Sequence, residues 1–275
     1  MADTPRLAVS NIAWEPEENE AVVEVLRGEG VAGVELAPTK WREQPYDASA
    51  TDVAAYRRFW EDRGLRVVSL QSLLFGRPDL QLFGSAAARS ALVDHMRRVI
   101  DFGSALGAHA LVFGSPRNRQ RGSLAMGEAT AIAVEVFREL GEYAAPRGVA
   151  VCIEANPQQY GCDFVTTTAE AVALCERVNH PGIRINADLG GIALAGEDAF
   201  QAIDSAKAFI AHVHASEPHL VGLGARADHS AATRALEAFG YTGWVSIEMR
   251  ALGAEGGNVG AVLKAIQLAK RAYAL

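Results

Sequence analysis

Short apolar, β-branched runs alternate with helix-patterned segments eight times along this chain, and that alternation constrains the fold more than any single motif. The runs are RLAVSNIAW (6–14), VAGVELAP (31–38), LRVVSLQSLLF (65–75), HALVFGSP (109–116), VAVCIEANP (149–157), IRINADLGG (183–191), FIAHVHASEP (209–218) and WVSIEM (244–249). Helical periodicity marks 17–30, 51–64, 89–107, 129–148, 167–178, 233–240 and 260–273. Several of these segments stop at a glycine just before the next run, at Gly64, Gly107, Gly148 and Gly240. There a left-handed cap avoids a Cβ clash. Eight such units in about 250 residues match a (β/α)8 barrel.

An open doubly wound sheet alternates in the same way, but here the first run leads into SNIAWEPEEN and not into a glycine-rich phosphate loop. A barrel also gathers polar residues at one shared mouth. Asn11, Glu35, Gln71, Ser115, Glu154, Asp188, His214 and Glu248 each stand at or just past the end of a run. No linker, low-complexity tract or charge block divides the chain, so the expectation is a single α/β TIM-barrel domain over residues 1–275.

Glu154, Asp188, His214 and Glu248 end runs five to eight at separations of 34, 26 and 34 residues, roughly one βα unit each. Four successive strand ends lie along one arc of a barrel mouth, so these side chains converge without any local motif. Three carboxylates and an imidazole repel one another there unless a divalent cation joins them, and the cation offsets their burial. Oxygen donors with one nitrogen suit Mn²⁺, Mg²⁺ or Co²⁺, and the affinity order admits Zn²⁺. Alternation sets His212 one layer beneath His214, Asn186 beneath Asp188 and Ser246 beneath Glu248, where polar groups orient ligands from behind. His212 reads equally as a buried histidine satisfied by a backbone carbonyl.

The formal charge of −7 argues against a broad phosphate-binding face, so nucleic acid is not an expected partner. Three cysteines, Cys152, Cys162 and Cys175, match no zinc-knuckle spacing and cannot all pair, which points to a reducing compartment. The N-terminus lacks a leader pattern and no run approaches 18 apolar residues, so a cytoplasmic chain with no membrane contact is expected.

The stretches SNIAW, GVELAPTKW, IEANP, NADLGG, HVHASEP and GYTGWVSIEM resemble the xylose-isomerase-like TIM-barrel superfamily of sugar phosphate isomerases and epimerases, from Ser10 to the final helix. The resemblance implies one divalent metal ion, Mn²⁺ first among the candidates, on Glu154, Asp188, His214 and Glu248. It implies that Glu154 and Glu248 also work as an acid/base pair on opposite faces of a small keto-sugar or keto-polyol substrate. Barrels of this family often form dimers or tetramers, so a homo-oligomer is a further expectation. The chemistry suits the residue types: removing a proton beside a carbonyl creates an enediolate, whose negative oxygen a cation stabilises.

Around this centre, Asn156 and Gln71 are placed either to bind substrate hydroxyls or to build their loops. Trp14 is placed to stack on a sugar face or to cap the rim. Glu217 and His229, after strand seven, are further candidate substrate contacts, with His229 alternatively capping the next helix. Two family positions depart from the ketose 3-epimerase pattern: a histidine three residues after the metal aspartate is Gly191 here, and an arginine six residues after the metal histidine is Leu220. Arg117, Arg119 and Arg121 in the loop at 114–122 read as an anion site or as a solvated turn. The expected activity is metal-dependent isomerisation or epimerisation. A lyase of the same barrel shares its first proton abstraction, an apurinic-site endonuclease needs extra ligands and a basic groove, and a ligand-binding barrel without turnover is the non-catalytic alternative.

Overall fold

Parallel strands wrapped by helices are covered on both faces, and β2 (Gly33–Leu36), β4 (Ala110–Phe113) and β8 (Trp244–Glu248) are buried at every position. The other strands are β1 (Arg6–Ser10), β3 (Arg66–Leu70), β5 (Ala150–Glu154), β6 (Ile183–Asp188) and β7 (Ile210–Ser216). The computed structural model describes residues 6–224, 226–252 and 257–273. Each strand pairs in parallel with its sequence neighbour, and β8 pairs with β1, so the expected (β/α)8 barrel is the fold.

The surrounding helices are α1 (Asn19–Gly28), α2 (Ala50–Glu61), α3 (Ala86–Leu106), α4 (Met126–Ala144), α5 (Thr168–Val178), α6 (Leu189–Leu194), α7 (Ala199–Ala206), α8 (His229–Ala238) and α9 (Asn258–Tyr273). Side-chain caps set several starts: Ser49 and Asp52 form a capping box on α2, and Ser85 accepts from the Ala88 amide on α3. Asp228 caps α8 through the Ala231 amide, which starts that helix four residues before the periodicity suggests. Two short helices, α6 and α7, fill the connection between β6 and β7, where periodicity named none. The main core lies between barrel and helices, with Leu26, Trp60, Met96, Phe137, Leu174 and Ile266 all buried.

The bore is plugged at its lower end. Trp244, the first residue of β8, packs with Ala8 and Val68 in a small cluster apart from the main core. The Arg6 guanidinium lies 4.5 Å from the centre of its ring. Gly33 makes room for the indole, since a Cβ there would sit 2.6 Å from Trp244 Cζ3. All three cysteines are buried and unpaired. Among the described residues no helix is long and apolar enough to cross a membrane.

Candidate metal centre

The four candidate ligands meet at the top of the bore, Glu154 reaching in from beside Asn186 across β5 and β6. Asp188 stands beside His214 across β6 and β7, and Glu248 stands beside Ser216 across β7 and β8. His214 is fully buried, with Nδ1 3.2 Å from Glu248 Oε2 and 3.4 Å from Glu154 Oε2. That nitrogen makes no hydrogen bond. Donor atoms of Asp188, His214 and Glu248 all lie within 4.8 Å of one another. A divalent cation about 2.1 Å from each donor spaces adjacent donors by about 3 Å, so an orphaned imidazole nitrogen among carboxylate oxygens fits such an ion.

The electrostatics agree. Burial pushes Asp188 up to about 7, and repulsion from Glu154 and Glu248 adds to it. Burial also raises Glu248, with Glu154 and Glu35 adding to the shift against the pull of His214. Burial pushes Glu154 the same way, but the His214 imidazole and the amides of Asn156 and Asn186 outweigh it and hold Glu154 below the usual range. Burial opposes charge on His214, yet Glu35 and Glu248 raise it well above an ordinary histidine. Together these are the shifts of a site short of positive charge.

Asp188 is fixed by its surroundings. The Ser216 hydroxyl donates to Oδ1, the Gly191 amide donates to Oδ2 at 2.9 Å, and the Gly190 amide donates to Ser216 Oγ at 2.8 Å. Ser216 was not singled out from sequence, although its position two residues past His214 places it in the same inward row.

Beneath the ligands lies a residue that sequence reasoning noticed only as a strand end. Glu35 is fully buried, and its Oε2 meets Ser69 Oγ at 2.7 Å, His212 Nε2 at 3.0 Å and His214 Nε2 at 2.9 Å. Its Oε1 accepts from Gln71 Nε2 at 3.0 Å. The clue was present in GVELAP, a carboxylate inside an apolar run, as Glu154 is in VCIEANP. Glu35, His212 and His214 also have ligand-like spacing, and hydrogen bonding accounts for their contacts.

Several expected roles change. His212 meets Glu35 and Ser69, so it backs the carboxylate and not a ligand directly. Asn186 donates to Glu154 Oε2 at 2.8 Å and so supports Glu154 where alternation suggested Asp188. Gln71 spends its amide on Ser10 and Glu35 below the mouth. Asn156 stays beside the centre, donating to Glu154 Oε1 at 2.7 Å. Trp14 is only 1% exposed and donates to Asn19 Oδ1, so its ring is packed into the rim with no face open for stacking. Glu217 and His229 are committed elsewhere. The Glu217 carboxylate accepts from the amides of Gly224, Arg226 and Ala227, and His229 bridges it to the Tyr273 hydroxyl. Amide donors offset the cost of burying that carboxylate, which clamps the loop after β7.

Arg119 is neither an anion site nor part of a solvated turn. It is 1% exposed and donates to the Glu154 carbonyl at 2.6 Å and to Cys162 Sγ at 3.4 Å. Gly191 leaves no vacancy, since a Cβ there would lie 2.8 Å from Asp188 Oδ2. Above it, His219 and Leu220 hold left-handed backbone at φ 64° and 55°, and the His219 amide donates to the Tyr160 hydroxyl at 2.8 Å. Partial burial raises the Tyr160 pKa, and Asp188, Glu248 and Glu154 add to the shift, which puts this phenol within the field of the centre.

A family model described as xylose isomerase-like TIM barrel matches residues 23–271. No curated protein matches the sequence. In fold the chain is similar to a D-psicose 3-epimerase crystallised in the presence of D-fructose, at 18% identity and a TM-score of 0.80, covering 98% of this chain and 99% of that one. It is similar to a 3-keto-D-glucoside 4-epimerase from E. coli, at 16% identity and a TM-score of 0.79, covering 97% of this chain and 99% of that one. It is also similar to the IOLI protein with a binding zinc atom, at 19% identity and a TM-score of 0.72, covering 97% of this chain and 96% of that one.

Proposed function

This chain belongs to the xylose isomerase-like TIM barrel family, and from that premise we propose that it is a divalent-metal-dependent isomerase or epimerase of a keto sugar or related polyhydroxy carbonyl compound. The observation that carries the reading is the orphaned Nδ1 of His214 beside Glu154 and Glu248, with Asp188 completing the donor set. When bound, the cation supplies Lewis-acid stabilisation of the negative oxygen that proton removal creates.

Glu154 and Glu248 divide the proton work. Their environments push their proton affinities apart, the arrangement that separates a base from an acid. Glu154 is held ionised and aimed by Asn156 on one oxygen and Asn186 on the other, so it is the group ready to accept a carbon-bound proton. Glu248, raised by burial, is the group ready to hold one. The metal is expected on Glu154, Asp188, His214 and Glu248, with Mn²⁺ first and Mg²⁺, Co²⁺ and Zn²⁺ as alternatives.

A second reading, elimination by a lyase, is favoured by one observation. The Tyr160 hydroxyl, fixed by the His219 amide at 2.8 Å, keeps its own hydrogen free to donate to a departing group. One experiment tests both. In D₂O, metal-loaded enzyme incubated with a panel of ketoses and keto-glycosides should exchange a carbon-bound hydrogen. Retention of the carbon skeleton supports isomerisation, and loss of a β-substituent supports elimination. Failure to exchange hydrogen in any substrate overturns both. The Glu248→Gln variant should lose about 10²–10⁴-fold in rate, the worth of a positioned acid or base.

A further inference from the structure

We propose that Glu35 is a positioning residue for the metal centre: by holding the Nε2–H of His214 from below, it presents Nδ1 of the same ring to the cation. The inference rests on the metal-centre reading above. A neutral imidazole carries one donor and one acceptor nitrogen, and the partner of the first decides which nitrogen is free. Nε2 lies 2.9 Å from Glu35 Oε2, so that nitrogen bears the hydrogen. With a cation bound, the proton is left on Nε2 alone, and Nδ1, which stands 3.4 Å from Glu154 Oε2 and 3.2 Å from Glu248 Oε2, offers its lone pair to the ion.

Glu35 itself has little freedom. Ser69 and Gln71, both reached from β3, donate to its two oxygens, and His212 shares Oε2 at 3.0 Å. Strand β2 pairs only with β1 and β3, so the Glu35 side chain reaches β7 across the interior of the bore. A carboxylate accepts hydrogen bonds only, so it imposes one tautomer. A glutamine in its place has one acceptor oxygen and one NH₂ and no charge, so it holds the Nε2–H more weakly and no longer imposes a single tautomer.

The test uses the full chain and Zn²⁺, a diamagnetic probe. Zn²⁺ is titrated against a competing chelator, and the ¹⁵N shifts of His214 are read in the loaded protein. Wild type should show Nδ1 bound and Nε2 protonated. Glu35→Gln should weaken Zn²⁺ binding about 10–100-fold, the usual cost of losing a partner behind a metal-binding histidine. His95→Gln changes a buried histidine that bonds the Leu73 carbonyl and neither Glu35 nor a candidate ligand, and should keep wild-type affinity. Unchanged affinity in Glu35→Gln, or an equal loss in His95→Gln, overturns the proposal. So does a wild-type spectrum with Zn²⁺ on Nε2, which needs no variant to fold. A wild-type protein that binds no divalent cation overturns the metal-centre reading itself, a distinguishable result.

Discussion

Arg119 holds a guanidinium away from solvent and surrounds it with the carbonyls of Phe113, Glu154 and Val165 and the sulfur of Cys162. Its removal leaves the Glu154 carbonyl without that donor, directly behind a candidate ligand. Arg119→Met should therefore lower unfolding free energy by roughly 2–4 kcal/mol in denaturant titration. Arg117→Met, at an exposed position in the same loop, should stay within about 0.5 kcal/mol. Equal effects would show that burial of Arg119 does not matter. Sequence could not separate these arginines, because three basic residues at spacing two look alike until one of them is enclosed. The convergence of Glu154, Asp188, His214 and Glu248 was legible because the length of a βα unit spaces them. Glu35 was not, because its histidine partners lie 177 and 179 positions away and only closure of the barrel brings them within reach.

Long helices with unbroken periodicity, such as α3 and α4, were readable within a few residues of their ends. Helices α6 and α7 were not, since neither is long enough to show a period, and Gly190, Gly191 and Gly196 interrupt the pattern. Yet α6 is the element that fixes Asp188. It begins directly after that residue and packs so close to the end of β7 that a Cβ on Gly190 would meet the Glu217 carbonyl carbon and oxygen at 2.7 Å and Ser216 Oγ at 2.9 Å. Backbone cannot yield as a side-chain tip can. Gly190→Ala should cost about 1–3 kcal/mol, as overpacking does, and should weaken divalent-cation binding by moving Ser216 away from Asp188. Gly127→Ala, in the first turn of α4 with open space around its Cα, should instead be neutral or stabilise by up to about 1 kcal/mol. Denaturant midpoints for the pair decide the matter, and matched midpoints would refute the close-packing account.

For the molecule as a whole, four of the seven histidines, His95, His109, His212 and His229, are held toward the neutral form. Burial is the first cause in each, and it takes His109 down to about 4. An unfolded chain takes up protons near pH 6.5 that these folded sites refuse. Their contribution is therefore fully present above about 6.5 and is lost as pH falls below it, through about 4 for His109. Asp188 in metal-free protein has the opposite sign: its folded pKa of about 7 exceeds the ordinary 3.8, so its contribution is full below 3.8 and lost as pH rises through 7. Unfolding measured from pH 7 to 4.5 should fall more steeply with excess Zn²⁺ than with chelator. Each neutral histidine adds up to roughly 1.4 kcal/mol per pH unit, and His109→Gln should flatten both curves. Identical slopes with and without the ion would contradict this. Closure by the Trp244 plug has a consequence for traffic. If the chain works as proposed, substrate, water and ion all queue at the opposite mouth, and whichever stands in it sets the pace at which the others come and go.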